Sequence, residues 1–502
     1  MRAQTAVKLT GLRNQESQMA MRRSAAALAF MLVMPADAAD SGDSLRQFLA
    51  ARAARDAEVA RSIWEWAEVG YQEEKSTALL QAELKKAGFR IEAGVAGIPT
   101  AFVANAGSGK PMIGILAEMD ALPGITQDAT ADRRPVPGKL AGHACGHHLF
   151  GTASVSAAIA LANWLKDSGT PGTIRVYGTP AEEGGSGKVY MVRAGLFKDV
   201  DIVLHWHPSD VNAATLEKSL ANKTVKFRFH GLSAHASGAP HRGRSALDGV
   251  EAMNHMVNLL REHVPSDARL HYVITRGGSA PNVVPDFAES YYYVRHGDPK
   301  MVEEIFERVV KAGEGAALGT GTRFEYEIIG GVHAILPNET LSRIMLEKLG
   351  AIGGVTYTPE EQAFAEQIHP TLINPSMPLG SQSEVQTFDF ERPGIGSTDV
   401  ADVSWTVPTV GLRTASWVPG TPAHSWQATA AGGMSIGFKG MHVASQTLAL
   451  MGQELFSNAG LRASARAEFE QRRGPAYVYR PMLGDRAPAL DYRRGVPGGG
   501  ED

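Results

Sequence analysis

The segment Gly142-His143-Ala144-Cys145-Gly146-His147-His148 holds the chain's single cysteine two residues from an imidazole, with a glycine between them. Thiolate and imidazole are good ligands for zinc and similar divalent ions, and one glycine lets both reach a single cluster from a tight turn. Taken singly, a cysteine is more often a small buried hydrophobe, and a histidine a hydrogen-bonded core or surface residue. A second feature, Glu182-Glu183-Gly184-Gly185, follows the strand-like run 174–178. Adjacent carboxylates in an extended segment point opposite ways, so one can bind metal while its neighbour accepts a proton from an activated water. His205 and His207 end the apolar run 202–204, and His424 lies in a loop rich in proline and glycine. One cysteine, several histidines and a glutamate pair, mostly at the ends of apolar runs, are hard to explain without metal.

The elements that must carry these residues follow from periodicity. Residues 111–117 form a short apolar run ending in Glu118, Met119 and Asp120, which suits a buried strand with carboxylates at its C-terminal end. An alanine-rich helix is predicted over 149–165, a strand over 173–178 and a helix over 189–194. This alternation predicts an α/β fold, a mainly parallel catalytic sheet flanked by helices, with ligands at the carboxyl ends of its strands. Residues 44–87 keep helical spacing up to Gly88, and a short strand is predicted over 89–91. Near residue 220 the texture changes: Val225, Phe227 and Phe229 alternate with Lys226, Arg228 and His230. From there to 329 the predicted order is β-α-β-β-α-β, the order of a ferredoxin-like α+β sandwich. The expected organisation is a catalytic domain in two parts, 40–219 and 333–460, around an inserted domain at 220–332. Residues 371–393 read as a surface loop, and 461–502, rich in Arg, Pro and Gly beyond Arg472, as a C-terminal, mobile tail.

At 502 residues the chain is too long for one ordinary core, and its net charge of -4 offers no basic field for nucleic acid. The single cysteine excludes an intramolecular disulfide. Arg22 and Arg23 precede the apolar run 25–34, and Ala36 and Ala38 offer a cleavage site, so residues 1–39 are expected to hold a signal peptide. Translation would start at Met19 or Met21, and the location would be periplasmic or secreted. The apolar run is too short for a membrane span, so no stable span is expected after cleavage.

Several motifs carry a resemblance. They are Ala117-Glu118-Met119-Asp120-Ala121-Leu122-Pro123-Gly124, the Cys145–His147 segment, Glu182-Glu183-Gly-Gly-Ser-Gly-Lys188 and His207-Pro208. Ala234-His235-Ala236, Pro281-Asn282-Val283-Val284 and residues 243–248, 397–405 and 420–427 extend it, in order, over 44–456. Together they resemble the metallo-aminoacylase and carboxypeptidase family of amidohydrolases. The resemblance implies two divalent ions per chain, zinc or manganese, with Cys145 bridging them and His147, Glu183, His207 and His424 completing the sites. Glu182 would be the general base, and Asp120 would orient a ligating imidazole. His235, on the inserted lid domain, would stabilise the oxyanion in its own or a partner's site, and Asn282 would contact substrate. Of the close pair, His207 is favoured as ligand because it precedes Pro208 and keeps the family's distance from the glutamates, leaving His205 a supporting role.

Two positions depart from the family pattern: Glu118 stands where many members have His, and His148 where Asp or Asn is common, so His148 could compete as a ligand. The implied activity is hydrolysis of N-acyl or N-aroyl amino acids, including aroyl-glutamates, by metal-activated water. The alternatives are a dipeptidase or carboxypeptidase of the same family and a non-catalytic partner subunit of a two-subunit hydrolase. The implied assembly is a homodimer through the lid domain, or a heteromer.

Overall fold

The computed structural model of the protein describes residues 37–391 and 396–493; the leader expected in 1–39 lies, up to residue 36, outside the described residues. The catalytic sheet has six strands: β1 (Arg90–Ala93), β2 (Phe102–Ser108), β3 (Met112–Ala117), β4 (Gly172–Gly178), β5 (Ile202–Leu204) and β10 (Thr409–Val410). Their spatial order is β1-β2-β4-β3-β5-β10. The four strands β4, β3, β5 and β10 are parallel, and β2 and β1 add an antiparallel edge. The mainly parallel sheet expected from the sequence is therefore present; the short strand expected over 89–91 is β1, and it pairs antiparallel with β2, which periodicity did not signal.

Helix α1 (Asp37–Trp66) is followed by α2 (Glu74–Lys86), and α3 (His147–Ser168) is the crossover that makes β3 and β4 parallel. Nearly every residue of α3 up to Leu161 is buried, which is why its sequence is apolar all round rather than on one stripe. It is the one described helix long and apolar enough to cross a membrane, and here it is the core helix of the domain.

The continuous helical pattern over 44–87 is broken at residues 67–73. Ala67 and Tyr71 take φ of 47° and 65°, and the Glu68 carboxylate accepts the amide N–H groups of Lys75 and Ser76 to start α2. Gly70 is the break's one glycine and no proline marks it; the break turns Glu73 inward, where the carboxylate accepts from Thr100 and from the Ala181 amide.

The second sheet consists of β6 (Ala221–His230), β7 (Arg269–Arg276), β8 (Phe287–His296) and β9 (Arg323–Val332), wholly antiparallel in the order β7-β8-β6-β9. Helix α5 (Ala246–Leu260) connects β6 to β7, and α6 (Pro299–Thr320) connects β8 to β9. This is the ferredoxin-like arrangement, with its own core around Val225, Phe227, Phe229, Met253 and Ile305. The alternation read over 225–230 is real: Val225, Phe227 and Phe229 are fully buried, each contributing about 1.5–3 kcal/mol to the module.

The C-terminal region differs from the expected tail. Residues from Ala459 to Arg473 form a helix, α9 (Ala459–Arg473), after α7 (Glu339–Ile352) and α8 (Ser435–Ser457). Residues 475–493 lie packed on the protein, where Met482 joins the core of the small module and Leu483 that of the large domain; the rest of the expected tail, 494–502, lies outside the described residues. Arginine, proline and glycine content suggests solvation, but the aromatic and apolar residues spaced among them find buried partners.

Candidate active site

Gly146 fixes the first part of the site. Its φ is 79°, and a side chain there would meet the Pro208 ring at 2.8 Å, so only glycine lets the turn pass this close to the strand end carrying His207. The result is a Cys145 Sγ to His207 Nε2 distance of 3.4 Å. His207 Nδ1 lies 2.7 Å from the Pro208 carbonyl, which can only accept, so Nδ1 carries the hydrogen and the Nε2 lone pair faces the sulfur. His147 is oriented in the same way. Its Nδ1 lies 3.0 Å from Asp120 Oδ1 and 3.1 Å from the Asp120 carbonyl, both acceptors, which leaves Nε2 free.

The glutamate pair sits beyond the C-terminal end of β4, beside Glu118 and Asp120 at the end of β3. Asp120 Oδ2 accepts the Glu183 amide at 2.9 Å, so one carboxylate holds both His147 and the glutamate loop. His424, in the loop before Trp426–Gly432, has φ 61°; its amide donates to Ala144 and its Nε2 lies 3.1 Å from Glu183 Oε1.

Three overlapping sets of donor atoms result, each mutually within 4.8 Å: Cys145, His147 and His207; Cys145, Glu183 and His424; and His147, Glu182 and Glu183. The first two share the cysteine. Glu118 Oε2, His147 Nε2 and Glu183 Oε1 are buried without a hydrogen-bond partner. Yet Glu118 Oε2 lies 3.1 Å from His147 Nε2, and Glu183 Oε1 lies 3.1 Å from His424 Nε2. Buried polar atoms this close without hydrogen-bond geometry fit donors arranged around a common cation, since bonds of about 2.0–2.2 Å place neighbouring ligands near this separation.

The electrostatics agree. The close Cys145 sulfur, then the Glu183 carboxylate, pushes His424 up to about 11. Burial alone would lower His147, but the charges of Cys145, Glu118 and Asp120 outweigh it and raise the imidazole well above its usual value. Burial, then Glu118 and Glu183, holds Glu182 well above the carboxylate range. A cluster that binds protons this avidly is one that favours added positive charge, and its N, O and S donors fit a divalent metal.

The other predicted residues fall elsewhere. His148 turns away from the donor sets: its Nε2 lies 2.9 Å from the Gly432 carbonyl and its ring packs on His143, so the expected competition for metal is absent. Burial lowers its pKa to about 3, which keeps it a neutral hydrogen-bonding group. His205 pairs with Glu217 at 2.9 Å. His235 and Asn282 are both exposed on the small module, on neighbouring stretches where the Ala236 amide donates to the Asn282 carbonyl. Among the described residues no hydrogen bond or ion pair links either one to the donor cluster.

Sequence reasoning missed the support beneath Glu118. Lys188, fully buried, places Nζ 2.7 Å from Glu118 Oε1 and 2.7 Å from Asp399 Oδ1. Lys188 closes the Glu-Glu-Gly-Gly-Ser-Gly-Lys motif, and a lysine among glycines beside an acidic pair is a usable hint. Asp399 lies in the 397–405 stretch of the resemblance, but nothing there points to its partner 211 residues away, and Glu73 carries no local signal.

The sequence profile of peptidase family M20/M25/M40 matches residues 114–426. The chain is 40% identical over 444 residues to one of the subunits of p-aminobenzoyl-glutamate hydrolase from Escherichia coli (strain K12), spanning 83% of this chain and 92% of that one. It is 29% identical over 428 residues to the Xaa-Arg dipeptidase of Mus musculus, spanning 82% of this chain and 88% of that one. Among solved structures, an aminobenzoyl-glutamate utilization protein from Klebsiella pneumoniae superposes with a TM-score of 0.57 at 19% identity, covering 81% of this chain and 97% of the other. A dinuclear metal binding peptidase of the M20 family from Bacillus subtilis superposes with a TM-score of 0.56 at 18% identity, covering 81% and 99%. These two likenesses concern the fold. With the profile match running from β3 to the His424 loop, the chain belongs to peptidase family M20/M25/M40 and is a hydrolase of amide bonds.

Proposed function

We propose that the protein hydrolyses the amide bond of N-aroyl or N-acyl amino acids, with an aroyl-glutamate as the leading substrate class, using two divalent ions, zinc or manganese. The observation that carries this reading is the pair of donor triads sharing Cys145, with Glu182 at their edge. Cys145, His147 and His207 would hold one ion, and Cys145, Glu183 and His424 the other. When bound, such ions supply Lewis acidity toward the amide carbonyl and make a water easier to deprotonate. The remaining steps belong to the chain's own residues. Glu182 takes a proton from the attacking water and returns it to the departing amine nitrogen. A carboxyl whose proton affinity is held high by burial and by Glu118 suits that double role. Asp120 fixes the His147 ring and the Glu183 amide, so the donors and the base keep their places during turnover.

His235 is assigned to the oxyanion, and Asn282 to the substrate carboxylate or the oxyanion. Both are exposed on the small module, apart from the cluster in this chain, so these roles go with module closure or with a dimer in which the partner supplies them. Homodimerisation through the small module is the favoured assembly. A heteromeric partner is the alternative, suggested by a relative that is itself one subunit of its hydrolase. Export to the periplasm or beyond rests on the Arg22-Arg23 leader, and sequencing the N-terminus of the mature protein tests it.

The activity is tested by incubating metal-loaded protein with aroyl-glutamates and with Xaa-Arg dipeptides, reading released amine with and without chelator. The aroyl-glutamate arm is expected to dominate; activity confined to the dipeptides would move the assignment to a dipeptidase. Glu182→Gln should lower kcat by roughly 10²–10⁴-fold with metal content unchanged. A variant turning over at the parental rate would remove Glu182 from the mechanism.

A further inference from the structure

The segment that follows α9 reaches the active site from outside the region of motif resemblance. The Tyr477 ring packs tilted against that of Trp405, centroids 4.5 Å apart, and Tyr479 donates to Asp402 at 2.7 Å. Arg486 donates to the Ile328 carbonyl of β9 at 2.7 Å and also to that of Ile329, while Arg193 of α4 (Gly187–Arg193) donates to the Gly484 and Arg486 carbonyls at 2.9 and 2.8 Å. The segment is thus fastened to the small module on one side and to the catalytic domain on the other. It reaches the glutamate loop, where Tyr492 Oη donates to the Glu183 carbonyl at 2.9 Å, and Arg493 Nη2 donates to the same oxygen at 2.8 Å.

This contact is built rather than incidental. The Tyr492 ring packs edge-on against Tyr71 at 5.6 Å, and Tyr71 itself donates to the Gly185 carbonyl at 2.7 Å. A side chain on Gly70 would come within 2.3 Å of the Tyr492 hydroxyl, so the absence of one at that position is what admits the ring. Gln72 donates to the Leu490 carbonyl at 2.8 Å just upstream.

We infer that Tyr492 and Arg493 are positioning residues of the active site: by holding the Glu183 carbonyl they fix the peptide plane after Glu183, and with it the directions of the Glu182 and Glu183 carboxylates. Rotation of that plane would change the backbone torsions of Glu183 and swing its Oε atoms away from His424 and Cys145. Residues 474–487 act as the fastening that delivers this pair to the loop and ties its placement to the small module. The inference rests on the amidohydrolase reading of the site, but its central claim concerns metal-site geometry.

The test compares Tyr492→Phe, Arg493→Met, the double variant and Arg493→Lys, which keeps a donor, in the full chain. Metal affinity is read by competition with a chromophoric chelator, and site geometry by the absorption spectrum of the cobalt(II)-loaded protein. The double variant should bind metal roughly tenfold more weakly, shift the cobalt(II) spectrum and lower kcat roughly tenfold with KM within about twofold, while the metal-free protein unfolds at the parental midpoint. Arg493→Lys should recover most of the loss. A chain ending at residue 473 should lose the parental cobalt(II) spectrum and regain it when a synthetic peptide of residues 474–493 is added; if that chain does not fold, the point variants decide. Parental metal affinity and spectrum in the double variant would overturn the inference, as would a fall in the metal-free unfolding midpoint with site geometry unchanged. Should the parent protein hydrolyse no amide, the substrate reading fails while the affinity and spectrum still decide this one.

Discussion

Lys188→Met probes the charge balance beneath the donor cluster. The ammonium touches Glu118 and Asp399 at 2.7 Å each, and none of the three side chains is more than 1% exposed. At an effective dielectric near 20 each contact has a gross Coulomb worth of roughly 6 kcal/mol. Removing three ions from water costs several kcal/mol apiece, so assembling the triad contributes little net stability. Deleting its only cation is another matter. Asp399 then stays buried with no counter-charge and Glu118 keeps only His147, 3.1 Å away, and breaking a buried ion pair from one side costs about 3–5 kcal/mol. The sign with pH follows from Asp399, which burial holds up at about 6 even beside Lys188. A carboxyl raised above its unfolded value adds stability that is full at low pH and lost as pH rises through its folded value. Without the ammonium Asp399 rises further, so the deficit of the variant should be small near about pH 5 and complete above neutrality. Urea unfolding of the metal-free protein, followed by tryptophan fluorescence at both pH values, measures it, and Asp399→Asn in the same background should recover part of the loss. A deficit under about 1 kcal/mol at neutral pH, or one that fails to shrink on acidification, refutes the charge-balance argument.

Two further perturbations act on neighbouring supports. Asp120→Asn weakens the grip on His147 Nδ1 and on the Glu183 amide, and should lower metal affinity about 10–100-fold in a chelator competition; parental affinity would show that these contacts do not tune the donors. Glu73 is raised to about 8, first by burial and then by the charge of Asp120, from an ordinary 4.5. Its contribution to stability is therefore full below about 4.5 and lost as pH rises through about 8. Glu73→Gln, neutral throughout, should flatten the fall in unfolding midpoint of the metal-free protein across that window, and an unchanged slope would place the dependence on another group.

Much of this architecture is legible because strand and helix periods state which face is buried. The apolar run before Glu118 and Asp120 is β3, the alternation from Val225 to Phe229 is β6, and the donor residues do lie at the ends of apolar runs. What escapes is set by distance in the chain. Helical spacing continues through residues 67–73, where the chain turns for the sake of Glu73, whose partners Thr100 and Ala181 are 27 and 108 residues away. The Lys188 bridge spans 211 residues to Asp399. Composition misreads the C-terminal end, because the count of Arg, Pro and Gly says nothing about where Tyr477, Tyr479 and Tyr492 find their partners.

These same long-range contacts explain why the base loop holds its shape. Ala181 and Ser186 flank it in the left-handed region, at φ of 57° and 60°, a conformation that costs a residue with a side chain about 1–2 kcal/mol. Glu73 accepts the Ala181 amide, Asp120 accepts the Glu183 amide, Tyr71 donates to the Gly185 carbonyl, and Tyr492 with Arg493 donates to that of Glu183. With a net worth near 1 kcal/mol for each hydrogen bond, those five contacts are of the same size as the strain they oppose. The loop is therefore near balance. Loss of a single contact should loosen the placement of Glu182 and Glu183 without unfolding the domain, which is why the effect of each substitution is to be sought first in metal affinity and in kcat, and only second in global stability.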